Sequence, residues 1–140
     1  MKLKLVLIMF ILTVSSVYAK SYKPNYDDEA ELLEWCQQYA DLLGYDRSQI
    51  VEAHYVSLPS NILGKCYYLP DNKAMILVNR LYPFSYRQEF DTTLVHEVCH
   101  VYTKDDLSWH IAMIRAANTL KMPGLKFEIL QDEATDHPLD

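Results

Sequence analysis

Apolar positions along the chain change period several times, and each change predicts an element. Leu5 to Val14 is almost unbroken apolar behind Lys2 and Lys4, and Val17-Tyr18-Ala19 places small residues at the −3 and −1 positions of a cleavage site. The pattern predicts a secretory signal over 1–19, because the apolar run falls short of the about 20 residues that span a bilayer. Within residues 27–43, Ala30, Leu33, Trp35, Cys36, Tyr39, Ala40 and Leu43 recur at helical spacing. Asp27, Asp28, Glu29 and Glu31 crowd the N-terminal end, where a helix dipole favours acids, and Gly44 stops the helix. Residues 50–58 contain a β-type stretch, and Pro59-Ser60-Asn61 turns the chain. Residues 64–69 read as a second strand, Pro70-Asp71-Asn72 as a turn and 74–78 as a buried third strand, so the last two form a hairpin. Leu81 to Phe84 begins a loop or short helix.

Two further helices follow. One covers the apolar-rich residues 92–102, with Asp91 or Thr92 as its N-cap. The other runs from about Leu107 to Lys121, after the polar turn Thr103-Lys104-Asp105-Asp106 and before Met122-Pro123-Gly124. The fold class expected is α+β: an N-terminal helix, a small, mostly antiparallel sheet of about three strands, a central helix and a C-terminal helix.

Composition narrows this. Without the signal, residues 20–140 make one domain with room for a real core but not for two. The formal charge is −6, and removing Lys2 and Lys4 takes it to −8. An acidic chain with no basic run repels phosphate backbones, which argues against nucleic acid as a partner. With only three glycines, phosphate-cradling loops are absent too. The signal places the mature chain outside the cytoplasm, secreted or periplasmic, with no stable membrane insertion after cleavage. Cys36, Cys66 and Cys99 allow three pairings in an oxidising compartment. Cys36–Cys66 is the expected one, since Cys99 lies in the central helix; the alternative is three buried thiols acting as small apolar residues.

The chemistry concentrates in the central helix. His96-Glu97-Val98-Cys99-His100 reads H-E-x-x-H. Residues four apart share a helix face, so His96 and His100 can present two imidazoles to one Zn²⁺ ion. Glu97 can reach a water at that ion without ligating it, the arrangement a metalloprotease needs. A catalytic zinc usually takes a third protein ligand. His110 follows His100 by ten residues, which on one continuous helix would turn it roughly 80° away and about 15 Å along the axis. The predicted break at 103–106 removes that obstacle and puts His110 in the first turns of the last helix. Glu128 and Glu133 are rival third ligands, His137 in the tail reads as solvated, and His54 in the first strand reads as a hydrogen-bonded residue. Asp105 or Asp106 reads as part of a solvated turn, with a role orienting an imidazole as the alternative. One tyrosine of eleven is a candidate oxyanion stabiliser.

Taken together, residues 63–118 resemble the SprT-like zincin metallopeptidases. The resemblance rests on a Gly-Lys-Cys strand start, on Met75-Ile76-Leu77-Val78-Asn79 followed by Leu81, and on Thr93-Leu94-Val95-His96-Glu97-Val98-Cys99-His100. A later His110, opening a helix with Met113 behind it, completes it. It implies zinc on His96, His100 and His110, Glu97 as general base, and the strand at 74–78 as the substrate edge. Ile111 stands where the family often has Gly, and the family's C-terminal zinc ribbon is missing. The export signal and acidic charge separate this chain from members that act on DNA-bound proteins. The function expected is therefore hydrolysis of peptide bonds in a protein or peptide substrate outside the cytoplasm. The alternatives are a secreted zinc-binding or interaction module without turnover, and a zinc amidase acting on cell-wall peptides.

Overall fold

The structure, a computed structural model, describes residues 21–125. The signal expected over 1–19 and the rival ligands Glu128 and Glu133, with His137, lie outside them. In chain order the elements are helix α1 (Glu29–Leu42), a 3-10 turn (Arg47–Gln49), strands β1 (Ile50–Val56), β2 (Gly64–Leu69) and β3 (Lys73–Asn79), and helices α2 (Arg87–Tyr102) and α3 (Asp106–Leu120). The α+β class is as the sequence predicts. No helix among the described residues is long and apolar enough to cross a membrane.

The ends of α1 follow local rules. Asp28 Oδ1 accepts a hydrogen bond from Glu31 N at 2.9 Å, satisfying one of the unpaired N–H groups of the first turn. At the other end Gly44 takes φ +79°. Gly44 N donates to Asp41 O and Tyr45 N to Ala40 O, the paired closure that a left-handed residue after a helix makes possible. The buried stripe is Leu32, Cys36 and Ala40, flanked by Leu33, Trp35, Tyr39 and Leu43. Ala30 points to solvent instead.

The sheet has strand order β1-β3-β2. The β2–β3 hairpin turns through Asp71 and Asn72, both at positive φ (62° and 60°), which matches the twist of a tight hairpin. β1 pairs with β3 in parallel and β2 with β3 antiparallel. The sheet is thus mixed, not mostly antiparallel. The reason is topological: the 57–63 connection carries the chain past the place that β3 later fills, so β3 inserts between its predecessors. That insertion also corrects the substrate edge. β3 (with the predicted 74–78) is paired on both sides, leaving no backbone edge to offer; the edge strand beside α2 is β2.

The 57–63 connection is organised by one side chain. Asn79 is fully buried. Its Nδ2 donates to Leu58 O, Pro59 O and Ile62 O at 3.2, 3.1 and 2.8 Å. Its Oδ1 accepts from Leu58 N and Leu81 N at 3.1 and 3.0 Å.

α1 and α2 cover one face of the sheet, enclosing Leu32, Cys36, Ile50, Ile76, Val78, Phe84, Phe90, Leu94 and Val98. A second cluster lies between α2 and α3, built from Val95, Cys99, Trp109, Ala112, Met113 and Leu125. α2 is a wall shared by two cores, which is why it is buried along most of its length from Phe90 to Val101.

The expected Cys36–Cys66 disulfide is not formed. All three cysteines are buried. Burial pushes the Cys36 thiol well above its ordinary range, and a thiol held protonated in an apolar core is inert to exchange.

Candidate metal centre

α2 begins about a turn and a half earlier than the sequence suggests, at Arg87, with no side-chain cap on Tyr86. Asp91 and Thr92 do not cap it. The Thr92 and Thr93 hydroxyls donate to Glu89 O at 2.9 and 3.0 Å, inside the helix. Instead Glu89 Oε1 accepts from Ser85 N at 3.0 Å, and Arg87 reaches Asp91 at 3.0 Å. Arg87 also lies over the Trp35 ring, 4.6 Å from its centroid. Two local i,i+4 contacts and one contact with α1 accompany the added helical residues.

His96 and His100 follow on one face, with their Nε2 atoms 3.1 Å apart. Two imidazoles each about 2.0–2.1 Å from one tetrahedral zinc would have nitrogens about 3.3–3.4 Å apart. The pair therefore fits a shared ion closely. Glu97 Oε1 is 3.7 Å from His96 Nε2, and Glu97 is 4% exposed, His100 7%. The carboxylate is thus held beside the paired nitrogens and away from bulk water.

β2 frames the other side. A methyl group on Gly64 would stand 3.0 Å from Leu77 O, 3.2 Å from Glu97 Cγ and 3.2 Å from Thr93 Cγ2. A side chain here would press on the Leu77 carbonyl and on the helix at Glu97 and Thr93, so the strand passes closest where the residue is glycine. Two pleats on, Tyr68 Oη lies 2.5 Å from His100 O and 2.9 Å from Thr103 O. Burial pushes this phenol up to about 12, so it stays protonated at physiological pH. Its proton is committed to helix carbonyls, which removes Tyr68 from the candidate oxyanion stabilisers. Its role is to tie β2 to the end of α2.

α3 is placed by Asp105, whose side chain accepts from Ser108 N and from Ser108 Oγ, both at 2.8 Å. Those hydrogen bonds hold the Asp105 carboxyl below its usual range. Asp105 is a helix cap in a solvated turn, as the sequence reading favours, and it does not orient an imidazole. The first turn so fixed delivers Trp109 onto the histidine pair. Its ring lies 4.9 Å from His100, nearly parallel at 10°, and 4.8 Å from His96 at 60°.

His110 sits next along α3, half-buried, its ring 5.3 Å from that of Trp109. Among the described residues no three His, Cys, Asp or Glu side chains gather into a group able to hold a metal ion. His96 and His100 lie together with Glu97 beside them, and His110 does not join the pair as a third ligand among the described residues. His54 is far along β1, between Glu29 Oε1 at 3.2 Å and Glu52 Oε1 at 3.4 Å, as a hydrogen-bonded strand histidine.

No family model, curated protein or solved structure matches the chain. The site must speak for itself. The sequence alone gives Tyr68 only a packing role and Trp109 none, and marks Gly64 only as a strand start. Trp109 alone had a local signal there, directly preceding His110 in a predicted helix.

Proposed function

We propose that the chain is a zinc-dependent metalloendopeptidase of SprT-like type, acting outside the cytoplasm on protein or peptide substrates. The observation that carries the reading is the 3.1 Å approach of His96 Nε2 to His100 Nε2 with the buried Glu97 carboxylate beside them. His96 and His100 would supply two ligands, and the SprT-like resemblance assigns the third to His110, which the described residues leave outside the pair. A zinc ion held there supplies Lewis acidity, polarising a scissile carbonyl and lowering the pKa of water toward about 7.

The chain's own groups do the rest. Glu97 takes the proton of the attacking water and hands it to the leaving amine. Its burial keeps that carboxylate from competing solvent. β2 is the strand along which an extended substrate would lie, because it borders α2 at Glu97 and its outer edge is not paired within the described sheet. The chain's −6 charge argues against a nucleic-acid partner.

The test is zinc content and proteolysis of the purified protein beside Glu97→Ala and His110→Ala. About one zinc per chain is expected. Glu97→Ala should keep the metal and lose about 10²–10⁴-fold in hydrolysis. His110→Ala should lose or weaken zinc. Normal proteolysis by Glu97→Ala would sink the mechanism. The second reading, resting on the same histidine pair, is a secreted zinc-binding module without turnover. Bound zinc with no hydrolysis of any protein substrate would select it.

A further inference from the structure

We infer that Trp109 is a positioning residue for the metal-binding pair, clamping the His96 and His100 rings in the orientation that lets both Nε2 atoms face one ion. The inference rests on the metal reading above and adds to it a residue outside the H-E-x-x-H pattern. An imidazole on a helix has two rotatable side-chain bonds, so two ligands four residues apart converge only if both rings are held. A flat indole meets both rings. It stacks on His100 at 4.9 Å and 10°, an offset-parallel contact that fixes the plane of that ring. It meets His96 edge-on, at 4.8 Å and 60°, which sets the second plane against the first.

Trp109 is itself held on three sides. It is 3% exposed within the cluster of Val95, Cys99 and Met113. Its indole N–H points back to the carbonyl of His96 at 3.4 Å. Its backbone N–H donates to Asp105 O at 3.0 Å, directly after the Asp105–Ser108 cap. The indole thus connects the start of α3 to both ligands on α2, and it closes the α3 side of the pair.

Two measurements on the purified protein test this, using Trp109→Leu and the conservative Trp109→Phe. The first is independent of metal: NMR of the labelled histidine ring protons, assigned with His96→Gln and His100→Gln. An upfield ring-current shift of the His100 ring is expected in the parent, lost in Trp109→Leu and partly kept in Trp109→Phe. The second is cobalt titration, read by d–d absorbance and competition. Trp109→Leu should bind Co²⁺ about tenfold or more weakly, with an altered band, and Trp109→Phe should recover most of the affinity. Circular dichroism shows whether each variant is folded, and Trp109→Phe carries the test if Trp109→Leu is not. A His100 shift unchanged by losing the indole overturns the inference whatever the metal does. So does a folded Trp109→Leu protein with parental cobalt affinity and spectrum. A parent that shows the ring-current shift but binds neither cobalt nor zinc overturns the metal reading, and the positioning role falls with it.

Discussion

Replacing Asn79 tests how the edge strand reaches the site. Asn79 Nδ2 offers two protons to three carbonyls and Oδ1 accepts from two backbone N–H groups, so about four full hydrogen bonds depend on one side chain with no exposed surface. At about 1 kcal/mol net per bond, Asn79→Ala loses about 4 kcal/mol, and because Pro59 O keeps its bond from Ile62 N this becomes about 3–4. Set against a total of about 5–15 kcal/mol for a domain, this is a large share. Asn79→Asp separates the two halves of the network. Its carboxylate still accepts from Leu58 N and Leu81 N, but its second oxygen faces three carbonyl oxygens.

The folded-state pKa of that new carboxyl is therefore raised. The native state binds more protons than the unfolded chain, so stability lost at pH 7 returns as pH falls through the folded pKa. The assay is urea unfolding at pH 7 and pH 5, read as ΔG by linear extrapolation. Both variants should be several kcal/mol down at pH 7, with only the aspartate recovering at pH 5. A loss below about 1 kcal/mol for Asn79→Ala would mean that solvent satisfies the 57–63 backbone and that Asn79 does not organise it.

Three further outcomes are expected. Gly64→Ala puts a methyl 3.0 Å from the Leu77 carbonyl and 3.2 Å from Glu97 Cγ; it should cost about 1–3 kcal/mol in unfolding free energy and lower peptidase activity with zinc retained, through displacement of Glu97. Lys121→Gly should raise the unfolding free energy by about 0.5–1 kcal/mol, because Lys121 closes α3 in the left-handed region at φ 54°. His54 and Glu29 form a partly exposed pair, the histidine pKa raised and the glutamate pKa lowered chiefly by their mutual hydrogen bond. Loss of the histidine's contribution begins as pH rises through its raised folded pKa, above about 6.5, and loss of the glutamate's as pH falls through a pKa below about 4.5. His54→Gln should therefore remove a small stabilisation centred near pH 5–6, seen in thermal melts across pH.

Much of this protein was legible from residue order alone, wherever the cause was local. The spacing of His96 and His100 dictates a shared helix face, and one turn of helix then brings their nitrogens together. Asp28, Gly44, the Asp71-Asn72 turn and Asp105 mark their element ends because each acts on backbone groups within a few residues. The bounds of β2 were read correctly for the same reason. What the sequence left undecided depends on contacts between distant segments. Insertion of β3 between β1 and β2, which moves the open edge to β2, is a choice of pairing that strand periodicity does not encode. The early start of α2 joins two local contacts, Ser85–Glu89 and Arg87–Asp91, to Arg87 meeting a ring on α1. Cys36 and Cys66 read as a pair from compartment and count, but a thiol's reactivity follows its burial. Trp109 reads as one more apolar residue until α3 folds back and lays its indole on two imidazoles from another helix. Residue order determined which groups can do chemistry; packing of α3 and β2 against α2 decided which of them meet, because ring orientation and burial are properties of neighbours far apart in the chain.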